Sequence, residues 1–209
     1  MSSPHVLESK LLKQLPWLTH GFGTRQTRDW PGNYTHLKQV HGDNIVLADG
    51  AWGSIGEGDA LISAHPGTLV GVRTADCVPV LLADTDLRAV AAVHAGWRGT
   101  VAEIVRKTVE RMTAEFGSRP TSLLAAIGPS IGRCCFEVGP EVAKQFGVEG
   151  RTHIDLVASN FRLLTAAGVP AAQIEVADLC TVCDPLRFHS FRRDKEQSGR
   201  MVSAIGIVR

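Results

Sequence analysis

Short apolar runs separated by glycine, proline and charged residues predict strands at 44–48, 59–63, 68–74, 78–83, 88–94, 122–127, 174–178, 187–191 and 202–208. The runs 78–83 and 88–94 are apolar almost throughout, the pattern of strands covered on both faces. A helix is expected over 100–116, where Val101, Ile104, Val105, Met112 and Phe116 share a face. Thr100-Val-Ala-Glu103 reads as its capping box and Gly117 as its stop. Further helices fit 138–147 and 153–167, the second ended by Gly168 and Pro170. Strands outnumber helices, and several follow one another with no helix between them. The expected fold is therefore α+β with a mixed sheet, not a regular doubly wound one. No repeat or linker divides residues 1–209, so one domain is expected.

With 44% apolar and 21% charged residues, a chain of 209 residues can bury a substantial core. A net charge of +1 argues against capture of nucleic acid or a membrane surface by bulk electrostatics. The first twenty residues hold no uninterrupted apolar segment, and no run approaches the roughly 18 residues that would span a bilayer. A cytoplasmic protein, monomer or homodimer, is expected. In that compartment its five cysteines read as buried thiols or metal ligands, not as a disulfide framework.

Three chemically active side chains flank short strands. His94 ends the run Ala89–Val93, Cys77 precedes the run 78–83 in Thr74-Ala-Asp-Cys77, and His41 of Gln39-Val-His-Gly42 precedes the run 44–48. Neighbouring strands lie close to 5 Å apart, so such ends can converge. Two histidines and a cysteine suit Zn²⁺ with a fourth position open; imidazole and thiolate also suit copper. The separations of 36 and 17 residues match no local metal motif, and two other readings stay open. Cys77 could be a thiolate nucleophile with His94 as its base, or each residue could be structural.

Elsewhere, Cys180-Thr-Val-Cys183 reads as structural or incidental, with an accessory metal site, or a non-catalytic metal or redox module built on Cys180 and Cys183, as the alternative. A zinc ribbon needs a second spaced pair, and Cys134-Cys135 is adjacent. The glycine- and proline-rich stretch 126–142 could bring backbone N–H groups to an anion, but it matches no phosphate-loop fingerprint. Arg187, Arg192 and Arg193 offer guanidinium forks for phosphate or carboxylate, with a solvated strand face as the alternative.

In order along the chain stand HGFGTR (20–25), QVHG (39–42), GDALIS (58–63), TADCVPVLL (74–82), VHAGWRGT (93–100), AIGPSIGRCCFEVG (126–139) and FHSFRRD with GRMVSAIGI (188–207). Together these resemble the bacterial polyphenol-oxidase or laccase-domain family of the YfiH/YlmD type, regarded as purine nucleoside phosphorylases. The resemblance runs over nearly the whole chain. It implies a single α+β domain with zinc held by His41, Cys77 and His94. The activities it implies are phosphorolysis of adenosine, inosine and methylthioadenosine, and deamination of adenosine. Copper-dependent phenol oxidation and amide hydrolysis that edits peptidoglycan precursors are the alternatives.

The family usually carries a longer segment between the HGF-x-TR and QVHG motifs. Here only Gln26 to Lys38 separates them, which, where the missing segment covers the pocket, implies a more open site or an altered substrate range. For deamination, Asp76 beside Cys77 is the candidate proton carrier; hydrogen-bonding the turn and orienting a ligand histidine is its competing role. For phosphorolysis, Arg73, Arg98 and Arg192 are the candidates to hold phosphate. The helix expected near Thr100 would offer its positive end to the anion, and Trp97 would wall the purine or pack in the core.

Overall fold

The structure is a computed structural model and describes residues 5–208. The first strands are β1 (Val6–Leu7), β2 (Leu18–Gly23), β3 (Thr35–Lys38), β4 (Ile45–Leu47) and β5 (Gly53–Glu57). The central run follows as β6 (Ala60–Ser63), β7 (Leu69–Thr74), β8 (Val78–Asp84) and β9 (Val90–Ala95). Helices α1 (Trp97–Val101) and α2 (Ile104–Phe116) then lead to β10 (Leu123–Ile127). The remainder comprises β11 (Glu137–Val138), α3 (Pro140–Ala143), β12 (Thr152–His153), α4 (Leu156–Ala166), β13 (Ile174–Val176), α5 (Phe191–Asp194) and β14 (Met201–Ile207).

The fold is α+β, but with two six-stranded sheets where one mixed sheet was expected. One runs β1-β2-β14-β7-β3-β5 and the other β13-β10-β8-β9-β6-β4, with β11 and β12 forming a small ribbon. The second sheet lies between the first sheet and the helices. On β8, Val78, Val80 and Leu82 join Ile104, Val105, Val109 and Met112 in one core. Leu81 and Ala83 point the other way, into a second core with Phe22, Val70, Val72, Ile205 and Ile207 of the first sheet. Both faces of β8 and β9 are thus covered, which is why these runs show no polar alternation. Each wholly buried Leu or Ile here stabilises the fold by roughly 1.5–3 kcal/mol.

Several elements depart from the sequence expectation. Strands β1, β2, β3 and β5 were not anticipated, because glycines and polar residues interrupt Leu18-Thr-His-Gly-Phe-Gly23 and Gly53-Ser-Ile-Gly-Glu57. The helix expected over 100–116 is two helices, and the capping box does not form. Thr100 lies inside α1 and its hydroxyl accepts from Asn160 Nδ2 (3.0 Å). Glu103 takes a left-handed backbone, φ 61°, and its carboxylate pairs with Arg106 (2.7 Å) instead of reaching back. Gly117 does close α2 in the left-handed region.

The helix expected over 138–147 is the short α3 followed by one tighter turn, Lys144–Phe146. The strand expected at 187–191 is a turn leading into α5. Its alternation of buried and exposed positions arises because Phe188 and Ser190 are anchored inward, and the Ser190 hydroxyl caps α5 by accepting from the Arg193 N–H (3.2 Å).

Candidate metal centre

His41, Cys77 and His94 converge: one ligand atom from each lies within 4.8 Å of the others. His94 shares its face of β9 with Val90 and Ala92, so its ring emerges between the sheets at the strand end. Cys77 sits on the corner where the chain leaves β7 in one sheet and enters β8 in the other. His41 lies just ahead of β4 in a left-handed conformation, φ 60°. Its ring stands edge-on to that of His94, with centroids 4.9 Å apart.

One carboxylate that the sequence did not single out fixes this geometry. Asp59, wholly buried, precedes β6. Its Oδ1 is 2.7 Å from His94 Nδ1 and accepts the His41 N–H (3.0 Å); its Oδ2 accepts the Gly42 N–H (2.7 Å). Engaging Nδ1 leaves Nε2 of His94 as the atom available to a metal and sets the tautomer. Burial alone would raise the Asp59 pKa, but the bond from His94 and the N–H groups of Gly42 and His41 hold it below the usual carboxylate value.

Burial would likewise push the Cys77 thiol up and the His94 imidazole down. Hydrogen bonds and charges among Cys77, His41, His94 and Asp59 outweigh it, lowering Cys77 to about 6 and raising His94 to about 9. Between those values the metal-free pair is thiolate beside imidazolium. The unfolded chain keeps its proton on Cys77 instead (ordinary pKa 9.0), so the pH dependences of the two shifts cancel and folding stability is flat from about pH 6.5 to 9. Metal capture does not cancel, because His94 must lose its proton. The apparent Zn²⁺ affinity is expected to rise about tenfold per pH unit through this window. Chelator competition across the range measures this, and a flat profile would show that His94 carries no proton.

The donor set fits a metal: three soft or borderline ligands face one point, and a backbone without a side chain closes over them. A Cβ on Gly96 would lie 3.1 Å from Cys77 Sγ and 3.4 Å from His41 Cδ2. Gly96 has φ −70° and ψ 176°, a conformation alanine adopts freely. Gly96→Ala is therefore expected to leave the melting temperature within a few degrees while weakening zinc binding about tenfold. Equal binding by both proteins in a chelator titration would refute the close approach.

The site opens into a cleft of about 970 Å³. Trp97, Phe136 and Phe191 supply aromatic surface, and Arg73, Arg192, Lys195 and Arg200 supply positive charge. Phe191 is 41% exposed there, at the start of α5. The Arg73 backbone is bracketed by the Gln39 amide, which accepts from its N–H (2.8 Å) and donates to its carbonyl (2.9 Å). The Arg192 guanidinium lies over Phe136 and donates to Glu137 O (3.0 Å). Arg98 does not line the cleft; it stacks over Trp97, 4.5 Å from the ring centroid.

Asp76 borders the cleft, but three donors already occupy its carboxylate. Thr181 Oγ1 (2.6 Å) binds Oδ1, and Ser190 Oγ (3.1 Å) and the Arg192 N–H (2.6 Å) bind Oδ2. The histidine-orienting role falls to Asp59. Among the described residues, no helix is long and apolar enough to cross a membrane.

Comparison with known proteins identifies the fold and the family. The chain is 43% identical over 189 residues to a purine nucleoside phosphorylase of Deinococcus radiodurans, covering 85% of this chain and 71% of that protein. It is 43% identical over 161 residues to an adenosine deaminase from an unknown prokaryotic organism, covering 70% and 61% respectively. The solved structure of YfiH from Bacillus licheniformis superposes with a TM-score of 0.89 at 28% identity, covering 99% of this chain and 97% of that one. Residues 24–208 match a family model, and the chain belongs to the family described as multi-copper polyphenol oxidoreductase laccase.

Proposed function

We propose that the protein is a zinc-dependent purine nucleoside phosphorylase acting on adenosine, inosine and methylthioadenosine, with adenosine deamination as a second activity of the same cleft. The observation that carries this reading is the joining of aromatic faces and unneutralised cations beside the three-ligand centre. Relatives named purine nucleoside phosphorylase and adenosine deaminase support it.

Zn²⁺ held by His41, Cys77 and His94 would supply a Lewis acid with a fourth position open. The chain's own groups do the rest. Phe191 and Trp97 flank the purine, with Arg98 acting only through Trp97. Arg73, Lys195 and Arg200 hold the phosphate together with Arg192, whose backbone is locked to Asp76. A phosphate oxygen forms the bond to C1′ as the bond to the purine nitrogen breaks, and the purine leaves with a proton. In deamination, water adds at C6 and ammonia leaves. Asp76 is a positioning residue for the Cys77 corner.

The test follows adenosine with and without phosphate, using metal-quantified wild-type protein and Cys77→Ala. Ribose 1-phosphate formed only by the zinc-loaded wild type is the expected result. Inosine formed without phosphate would support the deaminase activity alone. No turnover of any purine nucleoside would overturn the reading in favour of amide hydrolysis on a peptidoglycan precursor.

A further inference from the structure

The four cysteines outside the cleft form a second cluster. Strands β10 and β13 are parallel neighbours, so the loops leaving their C-terminal ends run side by side. One loop carries Cys134 and Cys135, the other Cys180 and Cys183. The loops are laced by backbone bonds, Ser130 N–H to Leu179 O (3.2 Å) and Thr181 N–H to Ser130 O (2.9 Å). All four sulfurs lie within 4.8 Å of one another. The adjacent pair and the spaced pair, separately unremarkable in sequence, thus make one four-thiol nest.

The distances discriminate between a metal and a disulfide. Cys183 Sγ is 3.4 Å from Cys135 Sγ and 3.6 Å from Cys134 Sγ. A tetrahedral zinc with Zn–S bonds of about 2.3 Å sets its sulfurs about 3.8 Å apart, whereas a disulfide needs about 2.05 Å. The observed spacings approach the tetrahedral edge. The surroundings also suit a ligand cage. The Gly132 N–H donates to Cys180 Sγ (3.3 Å), and a Cβ on Gly132 would press on Cys134 Sγ (3.2 Å) and Cys180 Cβ (3.3 Å). The turn of the spaced pair is closed by the Asp184 N–H on Cys180 O (3.2 Å). Four thiolates around Zn²⁺ carry a net double negative charge. The Arg192 guanidinium, which donates to Cys135 O (3.3 Å), places positive charge beside it, while that of Arg193, paired with Asp194 (2.8 Å), ties down the second loop through Thr181 O (2.9 Å) and Val182 O (3.2 Å).

We propose that Cys134, Cys135, Cys180 and Cys183 bind a second, structural Zn²⁺ that staples the two loops together. The staple bears on the cleft. The first loop donates the Ile131 N–H to Asp76 O (2.8 Å), and the second donates Thr181 Oγ1 to the Asp76 carboxylate (2.6 Å). Pinning these loops fixes the corner that carries Cys77, and Phe136, next to Cys135, lines the cleft. Binding exchanges the thiol protons for the metal and needs no oxidant.

The test is metal content, which does not depend on which reaction the cleft performs. Zinc-replete wild-type protein, purified under reducing conditions, is expected to hold about two zinc ions per chain, and Cys183→Ser and Cys77→Ala about one each. Cys77→Ala loaded with Co²⁺ is expected to show thiolate-to-cobalt charge transfer and tetrahedral ligand-field bands, which Cys183→Ser abolishes. If Cys183→Ser does not fold, the exposed Cys134→Ser serves the same comparison, and the cobalt spectrum of Cys77→Ala needs no change in the nest. One zinc in the wild type, retained in full by Cys183→Ser, would overturn the proposal. So would a Cys135–Cys183 disulfide in the zinc-replete protein, or iron in place of zinc.

Discussion

Replacing Asp59 by asparagine is expected to weaken zinc binding by 10–100-fold and to lower stability by about 3 kcal/mol or more. The amide has the shape of the carboxylate but one fewer acceptor. Oδ1 and Oδ2 of Asp59 together receive His94 and the N–H groups of His41 and Gly42. In the variant an NH₂ faces one of these donors, and the raised imidazolium of His94 loses its buried counter-charge. Because Asp59 is wholly buried, no water takes over. At about 2–4 °C per kcal/mol for a chain of this size, the melting temperature falls on the order of 10 °C. Chelator competition and thermal melts read the two effects. His41→Ala is the contrast: its exposed side chain is a proposed ligand but not a support, so the variant should lose the metal while the metal-free protein melts only a few degrees lower, the cost of alanine at φ 60°. Zinc affinity of Asp59→Asn within twofold of wild type would refute the clamp.

Asp76→Ala is expected to cost a similar 3 kcal/mol or more, for different reasons. Its backbone has φ 87°, where alanine is strained by about 1 kcal/mol while aspartate and asparagine are better tolerated. The carboxylate also joins three chain segments, through Thr181, Ser190 and the Arg192 N–H, and each bond to a charged group contributes about 1.5–3 kcal/mol. Asp76→Asn keeps the backbone preference and part of the bonding, so it should retain more stability than alanine. The two roles for this residue then separate in kinetics. A positioning residue predicts that Asp76→Asn raises KM and lowers kcat together with an unchanged pH profile. A proton carrier predicts loss of one limb of the kcat–pH profile at unchanged KM.

The sequence was most legible where one physical constraint acted alone. β8 and β9 stood out because both faces are covered, and His41, Cys77 and His94 were found because each interrupts the end of such a run. Asp59 went unremarked although it occupies the same kind of position, one residue before β6 in GDALIS; the end of that apolar run was its only signal. β2 was hidden because His20 and its glycines serve packing that no alternation reveals. The 187–191 run misled because its alternation came from hydrogen bonds to Asp76, a tertiary anchor. The sequence offers Cys180 and Cys183 as an alternative metal module but hides their meeting with Cys134 and Cys135, for a topological reason. The halves of the nest, 48 and 49 residues apart at the Cys183 contacts, meet only because β10 and β13 are parallel neighbours.

The left-handed turn at Glu103 decides what kind of anion trap the cleft is. An unbroken helix from 97 to 116 would have aligned its peptide dipoles behind Gly96, a fixed field insensitive to the medium. The break leaves only the five-residue α1 there, too short to carry much of that field. In the proposed reaction, attraction of phosphate would then rest on solvent-facing Arg73, Lys195 and Arg200. Their pull extends about one Debye length, ~8 Å at physiological ionic strength. Turnover in the proposed reaction is therefore coupled to the salt around the protein: competing anions and rising ionic strength throttle capture of the co-substrate, while the buried chemistry beyond it proceeds unchanged.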